Sequence, residues 1–408
     1  MTTHRPEGLR PPKVPRPTPV PRTRSEIVDR LCPLDLDMFW DRIATSLPLV
    51  EETETPGEVV VTFCWRDAEA EAVLLFVNRL TDERNLADTL LERKEGTDLW
   101  HASFRMGSDW RASYSFLVQR PGEIAPWVVE GQVALRAALD RGQRDPRNPD
   151  VCVNRAGITQ SVVSLPDAPP QPWLAARPDV ASGTVTFERG PDGREVWLYD
   201  PPGVPADVAT PLVVAFDGEV WTGQQSLPTT LDNLLADGCL RPVRAALISS
   251  GGTQARWAEL GGSDGAAYVV EQLVPWVRSR RSIGDEVVVV GQSLGGLTAL
   301  RAGLTYPETV TAVASQSASL WMDDLDTLLP TGPAGGLAGR APRIQLAHGS
   351  QEWVLAPLHE DLARRLAVAG VEITTVAYNG GHDYAWWRGA VADALRALLA
   401  PQPRPGKQ

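Results

Sequence analysis

The sequence predicts an α/β domain with a mostly parallel sheet, preceded by a smaller all-β domain of immunoglobulin-like sandwich type. In the second half of the chain, short apolar runs alternate with stretches of helical periodicity, which is typical of a parallel sheet covered by helices on both faces. In the first half, short β-branched runs are separated by turn residues, which is typical of an antiparallel sandwich. A Pro-rich stretch at 165–179 lies between the two halves and is typical of a linker.

Length, composition and charge exclude several classes of protein. The chain has 408 residues, which is long for one hydrophobic core and predicts two domains. Its hydrophobic content of 43% and charged content of 22% are ordinary for a globular protein. The formal net charge of −12 argues against non-specific binding to nucleic acid or to an anionic membrane surface. An anionic substrate would therefore need a local basic pocket.

The cysteines and the apolar runs bear on the compartment. The four cysteines show no C-x-x-C spacing, which favours reduced thiols over a disulfide framework or a zinc site. No apolar run approaches the roughly 18 residues of a membrane span, and the N-terminus lacks the apolar core of a secretory signal. We expect a cytoplasmic protein that carries no metal or other cofactor of its own. The sequence predicts nothing about the oligomeric state.

Taken in order, the chain divides into five segments. These are a Pro/Arg-rich arm predicted to be disordered, the β-rich domain, the linker, the α/β domain and a disordered tail, at 1–24, 25–163, 164–180, 181–400 and 401–408. The β-rich domain is predicted to begin with a short helical piece near 25–44. Its predicted strands are Val59–Trp65, Ala72–Val77, Trp100–Phe104 and Tyr114–Val118.

The α/β domain is predicted to contain eight strands. The first two form a hairpin, and the others alternate with helical stretches. In order they are Thr184–Arg189, Glu195–Tyr199, Leu212–Phe216, Ala245–Ile248, Glu286–Val290, Ala312–Ala314, Ile344–Ala347 and Ile373–Ala377.

The fifth of these strands ends in the motif G-Q-S-L-G at 291–295, and a helix-forming segment follows directly. The pattern G-x-S-x-G between a buried strand and a helix is typical of the nucleophile elbow of α/β-hydrolases. The turn exposes Ser293 Oγ at the carboxyl end of the strand, and the Leu294 N–H at the helix start faces a developing oxyanion. We therefore predict an α/β-hydrolase catalytic domain with Ser293 as the nucleophile.

A serine nucleophile needs a base and usually an acid, and in this fold both follow it in the order Ser, acid, His. Three histidines follow Ser293. His382 comes after the last predicted strand in a Gly-Gly turn that can present an imidazole over the carboxyl edge of the sheet, so it is the predicted base. His359 stands in a helical stretch with charged neighbours and is predicted to lie on the surface.

The orienting acid and the second oxyanion donor are predicted from the loops after two other strands. Glu352 follows the seventh strand, where these hydrolases carry their acid. A Ser–His dyad without an acid is one alternative, and three other acids stay open: Asp323, Asp324 and Asp383. After the third strand Gly218 permits a tight turn, so the backbone amide of Gly218 or Glu219 is the predicted second donor.

Seven motifs give the chain a family resemblance over nearly its whole length past the arm. They are V-T-F-C-W-R-D (61–67), W-R-A-S-Y (110–114), D-P-R-N-P (145–149), D-G-E-V-W (217–221), G-Q-S-L-G-G (291–296), S-Q-S-A-S-L-W (315–321) and G-G-H-D-Y-A-W-W-R (380–388). Together they resemble the enterochelin (ferric enterobactin) esterase family. The last motif is far more specific than G-x-S-x-G.

The resemblance implies a cytoplasmic serine esterase that opens the trilactone backbone of imported, iron-loaded siderophores, so that iron enters only as part of the substrate. Ser293 and His382 match the family's nucleophile and base, and Glu352 falls near its acidic position. The chain departs from the family after R-W-A-E-L (256–260), where G-G-S-D-G-A replaces an Asn and aromatic residues, and S-Q-S-A-S replaces S-Q-S-G-S. These departures bear on which siderophore is cut more than on the reaction.

A ferric tris-catecholate is anionic and aromatic, which predicts basic and aromatic side chains around the pocket. Arg256 carries the family match. Arg111 and Arg388 are further candidates for contact with the substrate, and a purely structural role is equally open for each. Trp221 and Trp321 are predicted to stack on catechol rings, whereas Trp386 is assigned to core packing.

Two other functions remain open at this point. One is a general acyl or carbohydrate esterase whose N-terminal domain binds sugar, which the lack of a secretion signal disfavours. The other is a siderophore-binding protein that hydrolyses nothing, which the intact Ser293 and His382 disfavour.

Overall fold

The computed structural model describes residues 12, 14, 16–43, 45–223, 225–323, 325–329 and 341–401. By their internal contacts these residues form two compact units. The first unit contains Gln171–Tyr378 and the residues from Trp387 on, and the second contains Pro15–Pro170 together with Asn379–Trp386. The segment Asn379–Trp386 was predicted as part of the C-terminal domain, and its contacts place it with the N-terminal part of the chain. The predicted tail lies outside the described residues beyond Pro401.

The second unit contains two antiparallel sheets. One sheet has the strand order β1-β6-β3-β2 with β5 paired to β6, and the other has the order β4-β7-β9-β8. The four predicted strands are present as β3, β4, β6 and β7. The strands are β1 (Arg22–Thr23), β2 (Leu49–Glu52), β3 (Glu58–Arg66), β4 (Ala72–Val77), β5 (Glu92–Arg93), β6 (Leu99–Gly107), β7 (Arg111–Gln119), β8 (Val151–Val153) and β9 (Thr159–Ser164).

Aromatic side chains from both sheets share one buried cluster. Phe63 and Tyr114 come from different sheets, and their ring centroids lie 4.9 Å apart at an interplanar angle of 70°. Edge-to-face pairs of this kind stabilise a core beyond the area that they bury. Phe104 and Phe116 extend the same cluster.

Helices cover the outer faces of both sheets. The first helix buries Val28 and the second buries Phe39 and Trp40 in one cluster with Cys64 and Leu99, and the third buries Leu139 against the other sheet. The strand at Ala72–Val77 is accordingly buried on both faces and is an uninterrupted apolar run. The third helix was not predicted. The helices are α1 (Glu26–Arg30), α2 (Leu36–Arg42) and α3 (Gln132–Leu139), with 3₁₀ turns at Pro33–Asp35 and Leu86–Thr89.

The predicted disordered arm is ordered in part. Arg22 and Thr23 form β1, which pairs antiparallel with β6 through Phe104 and Ser103. Edge pairing supplies the backbone hydrogen bonds that composition alone does not reveal. Residues 1–11, 13 and 15 of the predicted arm lie outside the described residues.

The first unit is built on an eight-stranded mixed sheet with the order β10-β11-β13-β12-β14-β15-β16-β17. β11 pairs antiparallel with β10 and β13, and the remaining pairs are parallel. Each of the eight predicted strands is present. They are β10 (Thr184–Arg189), β11 (Glu195–Asp200), β12 (Thr210–Ala215), β13 (Arg244–Ile248), β14 (Ile283–Gln292), β15 (Ala312–Gln316), β16 (Arg343–Gly349) and β17 (Ile373–Tyr378).

Helices alternate with the parallel strands. Val287–Val290 of β14 are at most 1% exposed, as a central strand covered on both faces requires. The α/β class is thereby confirmed. The helices are α4 (Gly218–Trp221), α5 (Leu227–Ala236), α6 (Thr253–Leu260), α7 (Asp264–Ala267), α8 (Val274–Arg278), α9 (Leu294–Thr305), α10 (Leu355–Val368) and α11 (Tyr384–Leu398), with a π segment at Tyr268–Leu273 and a 3₁₀ turn at Asp326–Leu328.

Candidate active site

Ser293 occupies a strained turn between β14 and α9. Its backbone has φ 59° and ψ −119°, a conformation that side chains other than glycine rarely adopt. A Cβ on Gly291 would lie 2.1 Å from the carbonyl oxygen of Gly295, so the two ends of the motif approach more closely than any other residue allows. This is the sharp strand-to-helix turn that the motif predicted, with Ser293 only partly buried at its tip.

Neighbouring backbone groups hold the turn in place. The Ser293 N–H donates to the carbonyl of Gln316 at 2.9 Å, and the Ser319 N–H donates to the carbonyl of Ser293 at 3.0 Å. The Ser319 hydroxyl also lies 3.4 Å from Ser293 Oγ. Ser319 was not among the predicted site residues, although the S-Q-S-A-S motif after the sixth predicted strand was a signal for it.

The predicted second oxyanion loop is the start of α4. Asp217 precedes it in the left-handed region at φ 56°, and Gly218 and Glu219 are the first two helical residues. Helix geometry leaves the first N–H groups without an acceptor inside the helix, as an oxyanion donor requires. A Cβ on Gly218 would lie 2.7 Å from the backbone of Leu247, so only glycine fits.

Arg256 forms a buried ion pair with the residue that begins this turn. Its Nε and Nη2 donate to the two carboxylate oxygens of Asp217 at 2.6 and 2.9 Å, and Nη2 also donates to the carbonyl of Gln292 at 3.2 Å. The side chains of Arg256 and Asp217 are 2% and 0% exposed. Arg256 therefore links the loop after β12 to the end of β14, and its predicted contact with an anionic substrate stays a prediction.

Glu352 is fully buried after β16, at the same edge of the sheet as Ser293. Its Oε2 accepts hydrogen bonds from the Ser317 hydroxyl at 2.6 Å and from the Gly349 N–H at 2.7 Å. Ser317 itself has φ 47° and accepts a hydrogen bond from the Trp387 indole at 2.9 Å. Two donors on one oxygen orient a carboxylate that burial would otherwise destabilise.

A buried histidine of β16 lies near Glu352. His348 is the buried next-to-last residue of β16, and its ring centroid is 5.3 Å from that of His359. His359 is 1% exposed, so the prediction of a surface histidine was wrong: the helix α10 turns this residue towards the sheet while its charged neighbours face outwards. Burial lowers the pKa of His348 below its usual value, and the negative charge of Glu352 opposes that shift only in part.

The alternative acids have other partners or lie outside the description. Asp323 forms an ion pair with Arg301 at 2.8 Å. Burial alone would raise the pKa of Asp323, but the Leu325 N–H and the Arg301 guanidinium outweigh it and hold the pKa below its usual range. Asp324 lies outside the described residues. Asp383 accepts hydrogen bonds from two backbone N–H groups.

The three predicted triad members do not all belong to the same unit. Ser293 and Glu352 belong to the first unit, and His382 belongs to the second, within the segment Asn379–Trp386. In that unit the carbonyl of His382 accepts a hydrogen bond from the Asn78 side chain at 3.1 Å.

The other predicted binding residues are mostly buried. Trp221 is 1% exposed, and its indole donates to Gln292 at 3.0 Å. Arg111 donates to Ser164 and to the carbonyl of Pro169. Arg388 donates to Gln171. Trp321 is half-buried with its ring centroid 6.3 Å from that of Trp257, so it has the exposed surface that a stacking role needs.

The described residues contain neither a metal-holding cluster of side chains nor a membrane-spanning helix. No group of three or more His, Cys, Asp or Glu in the described ranges is arranged to hold a metal ion. In the same part of the chain, every helix is too short or too polar to cross a bilayer.

Two family models match the chain. Residues 60–174 match the model described as "Enterochelin esterase, N-terminal", and residues 191–398 match the model described as "Putative esterase".

Curated relatives match over most of their length. The iron(III) enterobactin esterase of Dickeya dadantii is 31% identical over 412 residues, covering 89% of this chain and 93% of that protein. The iron(III) salmochelin esterase of Escherichia coli O6:H1 is 33% identical over 399 residues, covering 89% and 94%.

Solved structures match over the same extent. The ferric enterobactin esterase of Salmonella typhimurium superposes with a TM-score of 0.73 at 27% identity, over 89% of this chain and 98% of that one. The enterobactin esterase of Shigella flexneri, crystallised in the presence of enterobactin, gives a TM-score of 0.72 at 27% identity over 89% and 97%. The chain is therefore a carboxylic ester hydrolase and belongs to the enterochelin esterase family.

Proposed function

We propose that this esterase hydrolyses the ester bonds of a trilactone catecholate siderophore of the enterobactin type, taken in its iron-loaded form, and so releases the iron. The observation that carries the proposal is the similarity, over about nine-tenths of both chains, to proteins named iron(III) enterobactin and iron(III) salmochelin esterase. The strained elbow at Ser293 supports it, because such a turn exposes a nucleophile.

The sheet of the first unit supports an α/β-hydrolase assignment. In chain order its strands lie 1-2-4-3-5-6-7-8, with the second antiparallel and the elbow after the fifth. We propose an immunoglobulin-like sandwich for the two antiparallel sheets of the second unit. The predicted domain boundaries and the cytoplasmic location stay predictions.

The proposed reaction follows the chemistry of a serine esterase. His382 accepts the proton of Ser293 as Oγ attacks a lactone carbonyl, and Glu352 orients and stabilises the imidazolium. The Leu294 amide and the amide of Gly218 or Glu219 stabilise the oxyanion, where the loss of one donor typically costs about 10²–10³ in kcat. The tetrahedral intermediate then expels the alcohol oxygen of the ester, which takes the proton from His382, and an acyl-enzyme remains. Water attacks the acyl-enzyme with His382 as its base, which frees the carboxylic acid product and restores the Ser293 hydroxyl.

The consequence for the metal follows from chelation. A closed trilactone holds three catecholate arms at high effective concentration around the iron, and each ester cut lowers that concentration. Iron affinity therefore falls stepwise as the ring is opened and shortened. The iron is cargo of the substrate, and the esterase chemistry needs no electron transfer.

The test is chromatography of ferric enterobactin after incubation with wild type and with Ser293→Ala. We expect linear trimer, dimer or monomer from wild type only. Turnover of a simple aryl ester without any siderophore product would refute the proposed substrate and indicate a general esterase. Quenching of tryptophan fluorescence by the ferric siderophore, with no product from either ester, would leave a binding protein.

A further inference from the structure

We propose that Asn78 is a positioning residue for His382, and that the start of β7 shares this task. The inference rests on the proposed role of His382 as the base. It assigns to the N-terminal half of the chain a part in the chemical step, in addition to any part in substrate binding. The residues concerned all belong to the second unit.

The end of β4 and the start of β7 both donate hydrogen bonds to the segment Asn379–Trp386. Asn78, directly after β4, donates from Nδ2 to the carbonyl of His382 at 3.1 Å. At the start of β7 the Arg111 N–H donates to the carbonyl of Asn379 at 3.0 Å, and the Ser113 N–H donates to the Asp383 carboxylate at 2.6 Å. Asn379, His382 and Asp383 thus each accept a hydrogen bond from the end of β4 or the start of β7.

Asn78 is itself fixed to β7. Its backbone N–H donates to the carbonyl of Ser113 at 3.0 Å, so the side chain that bonds His382 and the amide that bonds Asp383 belong to one hydrogen-bonded pair of strand ends. Such a pair moves as a unit, which gives the segment a rigid support.

The two glycines before His382 are required by close approach to the same support. A Cβ on Gly380 would lie 2.9 Å from the carbonyl oxygen of Arg111, and one on Gly381 would lie 2.3 Å from Asn78 Oδ1 and 2.1 Å from Arg79 Cγ. All three distances are shorter than real Cβ contacts allow. The G-G-H-D motif therefore has a packing reason within this unit: the glycines permit contact and the aspartate completes it.

Asp383 couples this contact to the start of α11. Its other carboxylate oxygen accepts from the Ala385 N–H at 3.0 Å, in the first turn of the helix. The same side chain thus caps a helix and bonds β7, which limits the positions that His382 can take between Gly381 and Asp383. Its two backbone partners give Asp383 a positioning role.

A general base must lie within hydrogen-bond reach of the proton that it removes. A misplacement of about 1 Å can cost on the order of 10² in rate. Loss of the Asn78 contact should therefore lower the rate of every step that needs His382, including steps with no siderophore present.

The test compares Asn78→Asp and Asn78→Ala with Asn233→Asp. In Asn78→Asp the donor becomes an acceptor facing a carbonyl, and Asn78→Ala removes the donor without adding charge. Asn233 is the matched control, because its Nδ2 also donates to backbone carbonyls, at 2.9 and 2.8 Å, and its Oδ1, like that of Asn78, is buried with no hydrogen-bond partner among the described residues. It belongs to the first unit, on α5.

Three readouts apply to the full-length protein: kcat and KM for an aryl ester, kcat and KM for ferric enterobactin, and the rate at which a fluorophosphonate labels Ser293. We expect both Asn78 variants to lose about 10²-fold in kcat and in labelling rate with KM little changed. Asn233→Asp should keep all three rates within about two-fold, even where it lowers the melting temperature more.

Unchanged labelling in both Asn78 variants would overturn the inference. So would an equal loss in Asn233→Asp, since general destabilisation would then explain it. If wild type cleaves the aryl ester but not the siderophore while the Asn78 variants still lose labelling, the substrate proposal fails and the positioning role stands. If His382→Ala labels as fast as wild type, both the base and its positioning are refuted.

Discussion

The hydroxyl of Ser317 donates a 2.6 Å hydrogen bond to Oε2 of Glu352, and both side chains are completely buried. The same hydroxyl accepts from Trp387. Ser317 therefore connects a tryptophan indole to a buried carboxylate through one oxygen atom, and its left-handed backbone is the conformation in which it does so.

We expect Ser317→Ala to lower kcat roughly 10-fold and the free energy of unfolding by about 1–3 kcal/mol, because the buried carboxylate and the indole each lose a partner. Steady-state kinetics with an aryl ester and urea unfolding measure the two effects. Ser103→Ala is the control, since it removes another buried serine hydroxyl, which lies 2.8 Å from Thr62 Oγ1 in the second unit. An equal loss of kcat in the control would refute a specific role for Ser317.

The acid of the triad can be identified by two amide substitutions. We expect Glu352→Gln to reduce kcat by about 10²–10⁴-fold, because a neutral amide cannot stabilise the imidazolium. Asp323→Asn should change kcat by less than about two-fold, since its carboxylate serves the Arg301 ion pair. Full activity in Glu352→Gln would instead establish a Ser–His dyad.

The Asp217–Arg256 pair separates a structural role from a substrate contact. Arg256→Ala removes the two hydrogen bonds and the positive charge that Arg256 supplies to the buried Asp217 carboxylate, so we expect a loss of about 3–5 kcal/mol in the free energy of unfolding. The double variant Asp217→Asn, Arg256→Met removes both charges and should recover much of that loss. KM for the ferric siderophore is then measured in the double variant. A value equal to that of wild type would show that Arg256 does not contact the substrate.

Two glycines of β14 provide a test of the elbow. Gly291→Ala would place a Cβ 2.1 Å from the carbonyl oxygen of Gly295, whereas in Gly284→Ala the nearest atom is 3.9 Å away. We expect Gly291→Ala to cost at least about 1–3 kcal/mol in stability through overpacking and to abolish turnover. Gly284→Ala should keep the stability and the turnover of wild type within error. Normal fluorophosphonate labelling of Ser293 in Gly291→Ala would contradict the close approach.

Local patterns were sufficient for the framework of the first unit. The strands β10 and β11 were predicted as a hairpin. Central strands such as β12, β13 and β14 were predicted because a strand covered on both faces is apolar along most of its length, and consecutive residues carry that pattern. The elbow at Ser293 was predicted for the same reason, since its strand, glycines and helix are contiguous. Short edge strands such as β1 and β5 were missed, because two residues carry too little periodicity.

By itself the sequence determined the α/β class, the esterase family and the position of the elbow, since each depends on residues that are neighbours in the chain. Only the tertiary structure decided that Arg256 pairs with Asp217, that Ser317 bonds Glu352, and that Asn78 bonds the His382 carbonyl from 304 residues away. Polar side chains take their roles from partners that folding brings together, and hydrogen-bond partners distant in sequence leave no periodic signal in the chain.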